Sequence, residues 1–280
     1  MGFTTHTDNN GVRTGAAIVA SAVAVAATVW GVATLVHPGS AGAASRPTVS
    51  QPHGGDDSGH GRAGGPGQQQ PQAVPEDIAH ASESGGNTVN ITIDDGPDPR
   101  WTPKVLDVLR EHGVKATFCM VGPHAKEHPG LVRKVVADGH RLCDHTMDHD
   151  TAMDKKPVDY QERQILDAKK LIEEAAGNGA KVEYYRAPGG AFTPDSRRIA
   201  AANGMRPLGW NVDTKDFEKP GTAAIVAAVK RELGNGPTVL FHDGGGNRAQ
   251  TVEALDQVLA WLADQGRPTG FPVRTAPDGP

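Results

Sequence analysis

The chain has 280 residues, with 28 basic against 33 acidic side chains and a formal net charge of -5. That mildly acidic balance leaves no electrostatic footprint for nucleic acid, and 2 cysteines exclude a disulfide-rich scaffold or a four-cysteine zinc site. The 35 glycines and 21 prolines are unevenly spread and aromatics make only 5%, so part of the chain reads as coreless, while 12 histidines leave room for a histidine-based metal site.

Residues 1–15 form a polar tail in which Arg13 is the one strong positive charge. Residues 15–36 carry no charged side chain. At about 1.5 Å of rise per residue such a run is long enough to cross a hydrocarbon core. Its apolar stretch, 16–36, reads as a signal-peptide core or a transmembrane anchor, and Ala41-Gly42-Ala43 offers a small-x-small cleavage pattern. Either reading places the remainder outside the cytoplasm, in the cell envelope or the extracellular space. Residues 37–86 hold 11 Gly, 6 Pro and a glutamine run at 68–70. So few aliphatic side chains cannot repay the entropy of ordering, and the segment reads as a disordered linker.

Between 87 and 275, short apolar strands alternate with amphipathic helices, leaving 276–280 as a C-terminal tail. Residues 88–93 (TVNITI) read as the first strand. Thr102 can cap a helix with Pro103 at its first position, and Val105, Leu106 and Leu109 then share one face. A second strand is expected over 114–120, a helix near 131–138, a short strand at 141–143 and a long helix over 158–176. Strands near 182–185, 205–210 and 238–241 follow, with helices near 223–233 and 251–264. Repeated strand–helix units imply an α/β fold with a mainly parallel sheet, open or closed as a barrel. Barrels carry their chemistry at the C-terminal ends of strands, so polar clusters should follow strands.

Five do. Asp94-Asp95-Gly96-Pro97 follows the first strand. Adjacent carboxylates repel unless a cation intervenes; one can bind metal while the other acts as a base, although Asp-Gly and Gly-Pro also suit a bare turn. His145-Thr146-Met147-Asp148-His149 places two histidines four apart, as on one face of a helical turn. With Asp95 they make a two-imidazole, one-carboxylate set typical of catalytic zinc, which cobalt, manganese or nickel can also occupy. His140 and Asp148 lie nearby and read as positional. Arg186-Ala187-Pro188-Gly189-Gly190 joins a cation able to hold a carboxylate to glycines able to present an N–H to an oxyanion. Asp213-Thr214-Lys215-Asp216-Phe217 and Leu240-Phe241-His242 complete the set. A histidine paired with a carboxylate of the fourth cluster makes a good general acid.

Taken together, Thr92 to Pro97, His145 to His149, Arg186 to Gly190, Asp213 to Phe217 and Leu240 to His242 resemble, in order, the five motifs of the NodB-type polysaccharide deacetylases, carbohydrate esterase family four. The resemblance implies a distorted (β/α) barrel with fewer than eight strands. It also implies a metal-dependent hydrolase removing acetyl groups from an N-acetylated polysaccharide, peptidoglycan first and chitin or chitooligosaccharide second. An O-acetyl xylan esterase and a silent wall-binding protein stand as alternatives. By resemblance Asp94 is the general base, and Asp95, His145 and His149 hold one divalent metal, zinc first. Arg186 positions Asp94, and His242 is the general acid with Asp216 as its partner. The Gly189 N–H serves the oxyanion, while Leu240 and Phe217 line the acetyl pocket.

Four positions depart from the family pattern: Ile93 for Phe, Phe217 for Trp, Gly189 where an aromatic is frequent, and Asp144 for Asn, there to support the metal site or to cap a turn. None removes a catalytic group. Cys119 and Cys143 fall at the ends of strands that can be neighbours; a disulfide is permitted outside the cytoplasm, but buried free thiols are the plainer reading. Trp101 follows the Asp-Gly-Pro loop and is expected on the groove as a sugar platform, whereas Tyr184, Tyr185 and Trp210 read mainly as core. No protein partner is expected and the chain reads as a monomer.

Overall fold

A computed structural model describes residues 74–276 and 278. Eight parallel strands are present among them: β1 (Val89–Asp94), β2 (Thr117–Met120), β3 (Arg141–Asp144), β4 (Val182–Tyr185), β5 (Arg206–Pro207), β6 (Val212–Asp213), β7 (Thr238–His242) and β8 (Thr269–Gly270). Seven run in the order β5-β4-β3-β2-β1-β7-β6, and the two-residue β8 pairs with the start of β1 on the edge opposite β7. Helices α1 (Thr102–Glu111), α2 (Gly122–Glu127), α3 (Pro129–Ala137), α4 (Val158–Ala176), α5 (Pro194–Ala202), α6 (Thr222–Glu232) and α7 (Ala249–Asp264) flank this sheet. The architecture is the distorted parallel half-barrel expected, but with eight strands rather than fewer, β5, β6 and β8 being only two residues long.

Strand periodicity decides what faces inward. All six residues of β1 are buried. Val89, Ile91 and Ile93 point into the main core beneath the helices, so the alternate residues Asn90, Thr92 and Asp94 share the opposite face. The β1–β7 register sets Asn90, Thr92 and Asp94 beside Thr238, Leu240 and His242. Asp94 and His242 are therefore cross-strand neighbours. The same inner face carries a smaller cluster of Ala79, Cys119, Cys143, Tyr184, Leu208 and Val273. Cys119 and Cys143 are register partners on β2 and β3 and form a disulfide. The free-thiol reading is corrected: both side chains point inward from paired positions.

Helix α1 begins at Thr102 rather than being capped by it; the Thr102 hydroxyl accepts the Asp98 N–H at 2.7 Å and donates to Asp243 at 2.5 Å. Close packing of α2 on α4 needs Gly122, where a Cβ would lie 2.8 Å from the Ala168 Cα. The strand expected over 205–210 shrinks to two residues. Pro207 has no N–H for the ladder, and beyond it Leu208 bridges in parallel to Ala79. The Gly209 N–H then donates to the Ala79 carbonyl at 2.9 Å. Packed chain thus starts ahead of residue 87, and the last part of the segment read as a disordered linker is an ordered strap. Asp77 holds the buried Arg206 at 2.6 Å. The C-terminal stretch joins it, since Asp278 accepts from the His80 and Ala81 N–H groups at 2.9 and 2.8 Å.

The transmembrane expectation is corrected as well. No helix among the described residues is long and apolar enough to cross a membrane, and residues 16–36, on which that reading fell, lie outside the described residues.

Candidate active site

Five loops at the C-terminal ends of β1, β3, β4, β6 and β7 converge on one cleft of about 420 Å³. Asp94, at the end of β1, is 2% exposed. Such a carboxylate survives burial only with a partner, and Arg186 supplies it: Nη1 donates to Asp94 Oδ1 at 2.7 Å and to the Thr92 hydroxyl at 2.9 Å. The rest of the guanidinium donates to the Leu208 and Gly209 carbonyls at 3.2 and 2.8 Å. Burial raises the Asp94 carboxyl above its ordinary range, against the opposing pull of Arg186. The result is a poised proton acceptor whose free Oδ2 lies 3.5 Å from His145 Nε2.

Asp95, His145 and His149 bring one donor atom each to within 4.8 Å of one another, forming a single site for a divalent cation. Asp95 Oδ1 is buried without a hydrogen-bond partner, although His149 Nε2 lies 3.2 Å and His145 Nε2 3.6 Å away. An orphaned carboxylate oxygen facing two imidazole nitrogens is costly alone and apt for a metal. His145 Nδ1 faces the Arg186 carbonyl at 2.8 Å. A carbonyl only accepts, so Nδ1 carries the proton and the Nε2 lone pair is free for a ligand. Burial holds this imidazole neutral, pushing its pKa down to about 3.

The two histidines do not share a helical face. Residues 145–149 are an irregular loop in which Thr146 (φ 69) and His149 (φ 50) are left-handed, as is Asp95 (φ 77). Non-glycine residues at positive φ cluster at functional sites because their surroundings must over-determine them. Gln164 contributes here: its Oε1 accepts the Met147 and Asp148 N–H groups at 3.2 and 2.9 Å, and its Nε2 donates to Asp148 Oδ2 at 2.6 Å. Asp148 is thereby occupied in the loop. His140 is remote from the triad's chemistry, its Nδ1 accepting the Ala116 N–H at 3.0 Å. Asp144 caps the turn, Oδ1 accepting the Thr146 N–H at 2.7 Å, and burial raises its pKa well above the ordinary range.

Across the cleft, His242 Nδ1–H donates to Asp216 Oδ1 at 2.6 Å and its main-chain N–H to Oδ2 at 2.9 Å. Burial alone would push this imidazole down, but the Asp216 hydrogen bond and charge outweigh it and bring the pKa up to about 9. His242 is thus held protonated at neutral pH. Asp216 is also opposed by burial, yet hydrogen bonds from His242 and Thr251 leave it below its ordinary value.

A family model described as "Polysaccharide deacetylase" matches residues 81–208. The chain is also 39% identical over 208 residues to the chitooligosaccharide deacetylase of Sinorhizobium fredii, covering 70% of this chain and 93% of that one. The protein belongs to the NodB-type polysaccharide deacetylases, carbohydrate esterase family four. A peptidoglycan-N-acetylglucosamine deacetylase of Bacillus cereus is 38% identical over 180 residues, with coverage of 64% and 83%. Among solved structures, the family 4 carbohydrate esterase from Streptomyces lividans, in complex with acetate, superimposes with a TM-score of 0.60 at 32% identity, covering 66% of this chain and 92% of that one.

In this deacetylase the cleft is lined by Asp94, Asp95, His145, His149, Gly189, Leu240, Phe217 and His242, all singled out from the sequence. Arg186 and Asp216 stand behind Asp94 and His242, hidden from the cleft. Phe217 is 42% exposed and packs edge-on against the His242 ring at 5.4 Å. Gly189 has φ 59, a conformation open to glycine at little cost. The Trp101 expectation is corrected: its ring is buried, covered by Arg100 and Lys104 at 4.7 and 4.8 Å, and it does not line the cleft. Its main-chain N–H donates to Asp98 Oδ1 and anchors the turn instead. The cleft tryptophan is Trp210, one face of which meets the Arg186 guanidinium at 5.6 Å. Thr151, Ala187, Asp213 and Lys215 complete the lining. Sequence reasoning passed over these residues, although Ala187, Asp213 and Lys215 lie inside two of the recognised clusters.

Proposed function

We propose that this deacetylase is a zinc enzyme hydrolysing the acetamide of N-acetylglucosamine units in a polysaccharide, releasing acetate and leaving a free amine. The reading rests on one juxtaposition. A carboxylate poised to accept a proton, Asp94, and an imidazolium poised to donate one, His242, are register neighbours beside a three-donor metal triad.

The triad Asp95, His145 and His149 would hold the cation, and its two-nitrogen, one-oxygen donor set suits zinc. When bound, the cation supplies positive charge that polarises a carbonyl. Asp94 takes the proton from the attacking water, held in place by Arg186. Asp216 fixes the His242 tautomer with the proton on Nδ1, so that Nε2–H faces the cleft and protonates the departing amine nitrogen. Leu240 and Phe217 close an apolar wall about the acetyl methyl, and the Gly189 N–H is available to the oxyanion.

Peptidoglycan is placed ahead of chitooligosaccharide. The Cys119–Cys143 disulfide suits an oxidising compartment, which is where a wall polymer is met, and the cell envelope or extracellular space is the proposed location. The test is acetate release from peptidoglycan, chitooligosaccharide and acetylated xylan side by side. Release from the two N-acetylated polymers, fastest on peptidoglycan, is expected. Release from xylan alone would make the protein an esterase, and none from any polymer by folded, zinc-loaded protein would leave the silent wall-binding alternative.

A further inference from the structure

We propose that the Cys119–Cys143 disulfide is a positioning device that sets how tightly Asp95, His145 and His149 hold their cation. The inference rests on the reading that these three residues bind a metal. Neither cysteine belongs to the triad, and both are fully buried on the inner face of the barrel. What the bridge holds is the run Cys119-Met120-Val121-Gly122 at the C-terminal end of β2. This run hydrogen-bonds alternately to the two loops that carry the ligands. The Cys119 carbonyl accepts the Asp95 N–H at 3.1 Å and the Val121 N–H donates to the Gly96 carbonyl at 3.0 Å. Between them, the Met120 carbonyl accepts the His145 N–H at 2.9 Å and the Gly122 N–H donates to the Thr146 carbonyl at 3.0 Å.

One four-residue spine therefore positions both loops. It is needed because Asp95 and Thr146 are left-handed non-glycine residues, which relax to ordinary conformations unless their surroundings hold them. The bridge joins this spine to β3 at the register pair Cys119↔Cys143, two residues before His145 and one before β3 ends. Beyond that point the pairing runs on only through the His145 N–H to the Met120 carbonyl and the Gly122 N–H to the Thr146 carbonyl, where strand gives way to the ligand loop. A covalent link there fixes the separation of a carboxylate and an imidazole that must share one ion. Groups that orient ligands without touching the metal change affinity by about 10- to 100-fold when removed. Because such a bridge persists in an oxidising compartment and opens in a reducing one, the same chain would hold its cation more loosely before export than after it.

The test compares the full-length protein with the Cys119→Ala/Cys143→Ala double variant. Zinc affinity is measured by competition with a chromophoric chelator, together with the visible spectrum of the cobalt-loaded forms, at a temperature where circular dichroism finds both folded. Affinity about 10-fold weaker and an altered cobalt spectrum are expected. A core variant, Leu255→Ala in α7, matched for lost thermal stability, is expected to keep the wild-type affinity and spectrum. A folded double variant with wild-type values, or an equal loss in Leu255→Ala, would overturn the proposal. Should the double variant not fold, linkage supplies the same answer in the wild type, since a bound metal must favour the bridge by the factor with which the bridge favours the metal. In a glutathione buffer, two thiols pass two electrons and two protons to the bridge and become glutathione disulfide. Saturating zinc should shift that equilibrium toward the bridged protein by about 10-fold, and no shift would overturn the proposal. Failure of the wild type to bind zinc would remove the metal reading and this inference with it, whereas tight zinc binding in the bridgeless protein would remove this inference alone.

Discussion

Around His242, on the β6–β7 side of the cleft, the carboxylate of Asp216 is fully used. It accepts from the His242 ring and N–H, from Thr251 at 2.8 Å and from Thr214 at 3.0 Å. Around Asp95, on the β1–β3 side, the accounting is open: Asp95 Oδ1, Asp144 Oδ2 and the Thr146 hydroxyl are buried without partners. Both sides are built from carboxylate–histidine contacts, but only the Asp216–His242 pair is complete within the chain; Asp243 Oδ1, next to it, is buried without a partner as well. The Asp216–His242 pair is preorganised by the protein alone, whereas the orphaned Asp95 Oδ1, facing His145 and His149, belongs to a site for a divalent cation.

That contrast makes the two sides respond differently to substitution. His145→Ala should lose activity by about 1,000-fold or more and abolish the thermal stabilisation that added zinc gives the wild type, read by calorimetry. Asp94→Asn should lose about 100- to 10,000-fold in kcat/KM while keeping that zinc stabilisation. If zinc stabilises His145→Ala as much as wild type, the contrast breaks. Next in size is Arg186→Met, which strands a buried Asp94 without its partner and should cost about 3–5 kcal/mol of stability by denaturant titration. The second substitution Asp94→Asn should restore part of that loss.

A smaller effect tests the self-contained pair. His242 is held protonated up to about pH 9, so its contribution to stability is complete below an unfolded pKa of about 6.5 and is lost as pH rises through 9. As an acid it must be protonated, so kcat/KM should fall along the same limb. Asp216→Asn should move that limb toward neutrality and lower kcat/KM about 100-fold; an unmoved limb would show that Asp216 does not set it. The last effect lies outside the cleft. Burial, helped by the charge of Lys115, pushes the His140 pKa down to about 4. Here the sign reverses: the stabilisation is present above about pH 6.5 and is lost as pH falls toward 4, by about 3 kcal/mol. Urea titrations from pH 7 to 4.5 on wild type and His140→Gln should converge at the acid end.

The placement of the candidate site was legible in the sequence because the motif residues sit just past strands, where short apolar runs end in Asp, His or Arg. Asp94, Asp95, His145, His149, Arg186, Asp216 and His242 all meet in one place for that reason. What was illegible depends on contacts distant in sequence. Trp210 rather than Trp101 faces the cleft, lying against Arg186 from the end of β4, while Trp101 is buried. The His145–His149 spacing suggested a helical turn, but Gln164, on α4, holds the loop otherwise. Helix α5 did carry a local signal, Thr193-Pro194-Asp195-Ser196, in which Thr193 and Ser196 form a reciprocal cap. The strap at 77–82 carried none, because its order comes from Leu208, Arg206 and Asp278 far along the chain.

The central claim is that the triad of Asp95, His145 and His149 acts only when a cation completes it, whereas Asp94 and His242 are set in place by the chain's own Arg186 and Asp216. It is tested most directly by acetate release from N-acetylglucosamine oligomers by the full-length protein, chelated and then given back zinc, beside Asp94→Asn treated in the same way. The account predicts release that vanishes on chelation, returns with zinc in the wild type, and stays absent in Asp94→Asn although that variant rebinds the metal. Release that survives chelation, or that Asp94→Asn carries out at the wild-type rate, would contradict it.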